Sequence, residues 1–447
     1  MQVLGIEETR NQELYRKLKD LVIQAFILLN RKVDDEANFS LKTIEEVSVG
    51  EDGALLLLPL GYRDYSTKPD FAEVIFRYRD ELTHLPEWVS VVECLSKDEI
   101  IDKQIKYQVR SPFGGGRLDE LGLLSKVIRL SIDEDVPFHF EIDRFNSVYG
   151  EVERYFYSDT VTRETSCLLL GFDSEAEEIN LGDGVKIRRI SKDEMIELWR
   201  GSVWFRALVE ENEFALTTHK PLKYVLQLSV EAPKIRNKEE IKVTSASTIF
   251  EKVICALRLF KEGWIDYPFV REKHFSMLSS GVSYGKSHAI PSVPMGLSYK
   301  LTNNEVEDFK IFYKRAKKKI DCSKIAIKRF NETYRRHSIE DKLVDYIISL
   351  ESLYGSGGYT LAHRASLLLG KEKGSKKRTF LEFLKAWEIR NKIVHGGHHP
   401  KSIKIPELDE EYTLGEFVQK IEACVRSSIR KFIEKQPISW INIMFEK

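Results

Sequence analysis

Hydrophobic residues recur at helical spacing through the last third of the chain. Apolar positions three and four residues apart give each of several segments one apolar face, which is the pattern of an amphipathic helix. The predicted helices there are residues 303–320, 323–336, 339–353, 360–369, 380–395 and 412–433. Helices of this length joined by short polar segments are typical of a helical bundle. Residues 11–30 carry the same pattern near the N-terminus.

The middle of the chain mixes two kinds of pattern. Alternating or unbroken apolar runs predict strands at residues 41–62, 71–78, 124–145, 165–172 and 224–230. Asp183 and Gly184 predict a hairpin turn, and further helices are expected at 191–199 and 245–261. Two prolines and a glycine mark residues 290–298 as a linker. We therefore predict an α+β region over residues 1–295, with room for two subdomains, followed by an all-α helical bundle over 300–436.

The helix predicted at 380–395 has clear signals at both ends. Thr379 and Glu382 have the T-x-x-E spacing of a capping box, which satisfies the free amides of a helix start. Gly396 and Gly397 can adopt the left-handed conformation that ends a helix.

Polar residues occupy the positions where the apolar stripe of this helix would continue. The stripe runs through Phe380 and Trp387, and the next turn brings Arg390, Asn391 and His395. Such a helix either satisfies a polar core or builds a site. Arginine is a permanently charged fork for phosphate, and histidine exchanges protons near neutral pH. Together they suit cleavage of RNA through its ribose 2′-hydroxyl, without a metal, to leave a 2′,3′-cyclic phosphate and a 5′-hydroxyl.

Residues 326–397 resemble the HEPN superfamily, and specifically its ApeA-like HEPN domains. The matching pieces are KRFNETYRR (328–336), DKLVDYIISLESLYG (341–355), LAHRASLLLG (361–370) and EIRNKIVHGG (388–397). The last piece has the R-x4-6-H signature of the family, with a polar residue after the arginine. The resemblance implies a helical bundle and, in many members, a metal-independent endoribonuclease that dimerises to complete its site. Arg390, Asn391 and His395 match the catalytic motif residue by residue.

Other residues are candidates for orienting the catalytic groups or for contacting RNA. Glu351 is expected either to orient Arg390 through a bidentate pair or to form a structural ion pair with it. His363 and Arg364 either reach RNA or lie at the edge of the core. The remaining candidates for RNA contact are Lys392, His398, Lys376, Lys377 and Arg378. Because His398 has no Cys or carboxylate partners at ligand spacing, we predict no metal, and no other cofactor.

Charge is distributed unevenly along the chain. Residues 300–447 contain 30 Lys and Arg against 20 Asp and Glu, whereas residues 1–299 contain 39 against 50. Basic clusters at residues 314–319 and 371–378 fit nucleic-acid binding, and equally fit a solvated helix face or loop. The acidic N-terminal region is a candidate to dock on the basic region and restrain it.

Features of compartment and membrane association are few. The five cysteines stand singly, no pair has zinc-ligand spacing, and no stretch approaches the roughly 18 apolar residues of a membrane span. The first residues lack the pattern of a signal peptide. We predict a cytoplasmic protein that does not bind a membrane.

These observations predict an endoribonuclease that cleaves RNA, with tRNA as one candidate substrate, and that forms a homodimer through its bundle. By resemblance it would be an antiphage, abortive-infection or toxin-like effector, regulated by a phage-derived or other ligand at its N-terminal region. Two alternatives stay open. One is a non-catalytic HEPN module that binds RNA, a nucleotide or a partner protein, and the other is an N-terminal enzyme that the bundle dimerises.

Overall fold

The structure is a computed structural model of the chain, mostly helical, with a small antiparallel sheet in the central region and helices toward the C-terminal end. The residues that it describes are 9–35, 41–45, 48–49, 55–56, 63–69, 71–106, 119–133, 138–191, 194–195, 198, 222–233, 246–275, 282–286, 298–320, 324–355, 357–397 and 402–435.

The described residues before Ser158 are mainly helical and have a hydrophobic core of their own. The helices are α1 (Gln12–Asp35), α2 (Phe71–Arg77), α3 (Arg79–Thr83), α4 (Pro86–Lys97), α5 (Glu99–Lys106), α6 (Glu120–Ser131) and α7 (Ile142–Tyr157). Tyr15 of α1 meets Phe145 and Tyr149 of α7 edge-on, with ring centroids 5.4 and 5.0 Å apart. The amphipathic helix predicted at 11–30 is therefore confirmed and buries its apolar face in this core.

Two of the strands predicted for this region are wrong. Residues 71–77 form α2, and residues 124–145 fall mainly in α6 and α7. Leu123, Leu124, Val127 and Ile128 are all buried, so their spacing of three and four residues places them on one helix face. Packing of that face outweighs the strand preference of the β-branched residues. Short strands do occur earlier: β1 (Leu41–Glu45), β2 (Ser48–Val49), β3 (Leu55–Leu56) and β4 (Arg63–Pro69).

Six antiparallel strands form the central sheet, in the order β11-β10-β5-β9-β8-β7. The strands of this region are β5 (Thr160–Leu169), β6 (Phe172–Ser174), β7 (Glu178–Gly182), β8 (Val185–Arg189), β9 (Tyr224–Pro233), β10 (Phe269–Phe275), β11 (Val282–Lys286) and β12 (Tyr299–Leu301). The predicted strand at 224–230 and the turn at Asp183 and Gly184 are confirmed. The strand predicted at 165–172 is confirmed as far as Leu169, and Gly171, with φ of 73°, separates it from β6. Cys167, Leu226, Ile187 and Ile179 lie side by side on four neighbouring strands and are all buried.

One hydrophobic cluster joins this sheet to the C-terminal helices. Helix α8 (Ala246–Phe260) belongs to the cluster through Phe250 and Leu257. Arginines of the last helix bind the carbonyls at the end of α8: Arg426 Nε donates to Arg258 O at 2.8 Å, and Arg430 Nη1 donates to Phe260 O at 2.9 Å. The residues of one hydrophobic cluster end, and those of the other begin, near residue 160. This position differs from the predicted domain boundary at 295–300. Most of the predicted linker at 290–298 lies outside the described residues.

The C-terminal helices follow the predicted segments closely. They are α9 (Asn303–Lys319), α10 (Lys324–Glu332), α11 (Ile339–Tyr354), α12 (Gly358–Leu369), α13 (Lys373–Val394) and α14 (Leu414–Lys435), with a 3-10 turn at Thr333–Arg335. The expectation of an all-α region is wrong at one place, because β13 (Ser402–Ile405) and β14 (Glu410–Thr413) form an antiparallel hairpin before α14. Ile403 and Ile405 alternate with polar residues and are buried, which is the pattern of a half-buried strand.

Within the described part of the chain, none of the helices combines the length and the apolar character that crossing a membrane requires.

Candidate functional site

The helix that carries the arginine and histidine motif begins earlier than its sequence predicts. Helix α13 starts at Lys373, and its capping box joins Glu372 and Ser375. Thr379 and Glu382 therefore lie inside the helix, and the capping box predicted for them is wrong. Glu382 is 3% exposed and its carboxylate lies 2.7 Å from Lys420 Nζ of α14, so it anchors α13 to its neighbour.

Lys420 is held between two acceptors at this anchor. Burial alone would lower its pKa, but the bonds to Glu382 and to the Tyr412 hydroxyl outweigh burial and raise the pKa. The lysine stays charged at neutral pH and balances the buried carboxylate.

The far end of α13 is fixed by two glycines, as predicted. Gly396 has φ of 76°, and its N–H donates to Ile393 O at 3.1 Å. The N–H of Gly397 donates to Lys392 O at 2.8 Å. These two bonds form a Schellman motif. His395 is the C-cap residue that follows Val394, the last residue of the helix, and its side chain is exposed. The cap therefore presents His395 to solvent at the negative end of the helix dipole.

Arg390 lies one turn before this cap and is held by two side chains. Its Nη2 is 3.4 Å from Glu351 Oε2, and its Nη1 donates to Asn391 Oδ1 at 2.9 Å. The Arg390 side chain is 22% exposed and that of Glu351 is 19% exposed. The predicted pairing of Glu351 with Arg390 is present, but through one pair of atoms instead of the expected bidentate fork.

Trp387 explains why the fork is incomplete. Its indole N–H donates to the second carboxylate oxygen of Glu351 at 3.2 Å. The Trp387 ring lies so close to Gly358 of α12 that an added Cβ there would be 2.6 Å from the ring. Three helices thus meet at Trp387, which contacts Glu351 of α11 and Gly358 of α12. This contact was not foreseen, because the sequence pattern marks Trp387 only as part of an apolar stripe.

His363 and Arg364 lie on α12 and have different surroundings. Arg364 is half-buried, and its Nη1 donates to Tyr354 O at 2.7 Å, at the C-terminal end of α11. His363 is exposed and stacks on Tyr359, with ring centroids 6.4 Å apart. Tyr359 is itself 70% exposed. An exposed stacked pair of rings suits contact with an RNA base. The sequence pattern does not mark Tyr359 as a candidate, because this residue belongs to no motif.

The basic residues before the motif are exposed. Lys376 and Lys377 lie in the first two turns of α13, and Lys392 is exposed near its end. Arg378 is also exposed but, unlike these lysines, it forms ion pairs: its Nη1 is 2.7 Å from Glu410 and 3.7 Å from Glu382.

The lysines at the start of α13 lie far from the motif but on a similar side of the helix. Lys376 and Arg390 are 14 residues apart, which is about 21 Å along the helix and roughly 40° around it. His398 lies outside the described residues.

These contacts define what the site can do. A partly exposed guanidinium can bind a phosphate, and an exposed histidine can exchange protons. Among the described residues, no group of three or more His, Cys, Asp and Glu side chains is arranged to hold a metal ion.

Comparison of the chain with protein-family models, with curated proteins and with solved structures gave no match.

Proposed function

We propose that this protein is a metal-independent endoribonuclease whose catalytic residues are Arg390, Asn391 and His395. The observation that supports the proposal best is the Arg390 guanidinium, partly exposed and held between Glu351 and Asn391 in the last turns of a helix that ends at exposed His395. The resemblance of residues 326–397 to HEPN domains supports the same chemistry.

In the proposed reaction, His395 accepts the proton of a ribose 2′-hydroxyl. The 2′-oxygen forms a bond to phosphorus, and the bond from phosphorus to the 5′-oxygen breaks. A protonated histidine returns a proton to the leaving 5′-oxygen. Arg390 stabilises the negative charge that builds on the phosphate oxygens, and Asn391 fixes the direction of the guanidinium.

The placement of Arg390 and His395 supports a site made by two chains. The two residues are five positions apart, which separates them by roughly 140° around a helix. Val394 between them is 53% exposed, so an apolar side chain is available for a contact with a second α13. In such a dimer, one chain would supply the base and the other the acid.

A non-catalytic module that binds RNA is the second candidate. The observation that favours it is the Glu351 carboxylate, which partly neutralises Arg390. An arginine paired with a carboxylate can still bind phosphate, since it has five N–H donors, but it stabilises a transition state less strongly.

The remaining parts of the proposal rest on the resemblance. The protein would act in the cytoplasm as an antiphage or toxin-like effector on cellular RNA, with tRNA among its candidate substrates. The region before the C-terminal helices would sense a phage-derived or regulatory ligand.

The decisive experiment incubates the purified chain with total RNA and with tRNA in the presence of EDTA, and analyses the new RNA ends. The variants are Arg390→Ala and His395→Ala, with His337→Ala as the control because His337 is another exposed histidine. We expect cleavage by wild type and control only, leaving cyclic phosphates. Cleavage that survives both motif substitutions would overturn the proposal. RNA binding without cleavage, weakened by Arg390→Ala, would instead establish the binding module.

A further inference from the structure

A cavity of about 460 Å³ lies between α8 and α10, beside the end of α9. None of the residues that line it belongs to α13. Its volume falls in the range of sites for small organic ligands. We propose that it binds a small phosphorylated organic anion of nucleotide size.

The charge of the lining carries the first part of this proposal. Five cationic residues line the cavity against two acidic ones, Glu251 and Glu332. The cationic residues are Lys252, Arg258, Lys324, Lys328 and Arg335. Lys324 and Lys328 are both exposed, and their spacing of four residues places them on one face of α10. An anion in the cavity would therefore meet a net positive wall.

Two of the lining arginines, Arg258 and Arg335, share one carboxylate, that of Asp266. Arg258 Nη2 is 3.3 Å from Asp266 Oδ1, and Arg335 Nε is 3.7 Å from Asp266 Oδ2. Arg258 is saturated by further acceptors, because it also donates to Ile265 O at 2.7 Å and to Asn331 Oδ1 at 3.2 Å. Asp266 balances the charge of only one of the two arginines.

Arg335 is the arginine that remains for a ligand. Its ion contact to Asp266 is too long for a hydrogen bond, and its buried Nε has no hydrogen-bond partner among the described residues. The side chain is 24% exposed, so part of it faces solvent. A guanidinium in this state is a suitable ligand for a phosphate group.

The rest of the lining suits the organic part of the ligand. Ile254, Ile320 and Ile327 give an apolar wall, and Tyr267 adds an aromatic ring. Apolar walls with a few convergent charged groups are the usual form of a small-molecule site. Cys255 also lines the cavity, but burial raises the pKa of its thiol to about 11, so it contributes a neutral thiol and no nucleophile.

The test titrates the full-length chain with inorganic phosphate, AMP, ATP and adenosine in a calorimeter, without RNA. The double variant Lys324→Ala/Lys328→Ala removes two exposed charges from the wall and keeps the core intact. Lys314→Ala is the matched control, since Lys314 is an exposed lysine of α9 outside the cavity lining.

We expect saturable binding of at least one nucleotide, weaker binding of phosphate, and no binding of adenosine. The double variant should lose affinity at least tenfold, while the control keeps it. No saturable binding of either nucleotide at millimolar concentration would overturn the proposal, as would equal affinity in the double variant. Because the assay contains no RNA, its outcome is independent of the proposed ribonuclease activity.

Discussion

Arg390 Nη2 lies 3.4 Å from Glu351 Oε2, and this contact joins the end of α11 to the end of α13. The same carboxylate accepts the indole N–H of Trp387 on its other oxygen. Glu351 therefore has two neighbours on the motif helix, and it fixes the direction in which the guanidinium can turn. In the proposed enzyme it is a positioning residue that acts through Arg390.

Substitution Glu351→Gln tests this role. The amide keeps an oxygen that can accept from Trp387 but loses the charge that faces Arg390. We expect kcat on RNA to fall about tenfold, equivalent to about 1.4 kcal/mol in the barrier, with a smaller change in KM. The measurement is steady-state cleavage of an RNA substrate, together with thermal unfolding of each variant.

The control for this prediction is Glu388→Gln. Glu388 is an exposed carboxylate of α13, 3.4 Å from Lys385, and its removal should leave kcat unchanged. If Glu351→Gln lowers the unfolding temperature but not kcat, then Glu351 is a structural ion-pair partner and nothing more.

The exposed residues Lys376 and Lys377, near the start of α13, should contribute to RNA affinity. Each lysine that contacts a phosphate of single-stranded RNA adds about 0.7 to the slope of log affinity against log salt. We expect the variant Lys376→Ala/Lys377→Ala to bind RNA more weakly and to lower that slope by about 1.4. Fluorescence anisotropy of labelled RNA between roughly 50 and 200 mM salt, in a His395→Ala background, measures both quantities.

Lys310→Ala is the matched control for the basic cluster. Lys310 of α9 is already paired with Glu307 at 2.7 Å, so its loss should leave the slope unchanged. An unchanged slope in the double variant would show that Lys376 and Lys377 form only a solvated helix face.

The sequence predicts the C-terminal helices well because each has a clear apolar face and recognisable ends. Gly396 and Gly397 predict the end of α13 correctly, since the left-handed backbone at Gly396 favours glycine. Its start was predicted seven residues too late, because Thr379 and Glu382 have capping spacing within the helix. Local spacing does not reveal that Glu382 pairs with Lys420 of another helix.

The contacts of the site were only partly predictable. The pairing of Glu351 with Arg390 followed from the resemblance, whereas the competing bond from Trp387 depends on how three helices cross. The wrong strand at residues 124–145 has the same origin. Val127 and Ile128 favour strands locally, but their burial in the N-terminal core selects a helix.

Gly358 tests the close approach of α12 to the motif helix. A Cβ added there would lie 2.6 Å from two atoms of the Trp387 ring, so Gly358→Ala must displace the ring. We expect a loss of about 1 to 3 kcal/mol in the free energy of unfolding. Urea denaturation measures this loss, and the tryptophan fluorescence of the folded variant reports the displaced ring.

Gly374→Ala provides the comparison, because nothing lies within 4 Å of a Cβ added in that position of α13. Alanine there should stabilise the chain by about 0.5 to 1 kcal/mol, since glycine loses more backbone entropy in a helix. Equal effects of the two substitutions would contradict the packing of Gly358 against Trp387.

A partly buried ion cluster beside the central sheet should make stability depend on pH. Both carboxylate oxygens of Glu194 accept from Arg188 at 2.7 Å, and Arg271 Nη1 lies 3.6 Å away. Burial would raise the pKa of Glu194, but the bonds from Arg188 and the Ser191 N–H, with the charge of Arg271, outweigh burial and lower it to about 2.

Because the folded pKa lies below the usual value of 4.5, the stabilisation is fully present above about pH 4.5 and is lost as the pH falls toward 2. The shift corresponds to about 3 kcal/mol at pH 7 and about 2 kcal/mol less at pH 3. We therefore expect Glu194→Gln to destabilise the chain by about 3 kcal/mol at pH 7, and by much less at pH 3. Urea denaturation at pH 7 and at pH 3 measures the difference.

Glu178→Gln is the control, because it removes an exposed partner of Lys186. It should change the free energy of unfolding by less than about 1 kcal/mol at either pH. A pH-independent effect of Glu194→Gln would show that its carboxylate is not charged in this cluster.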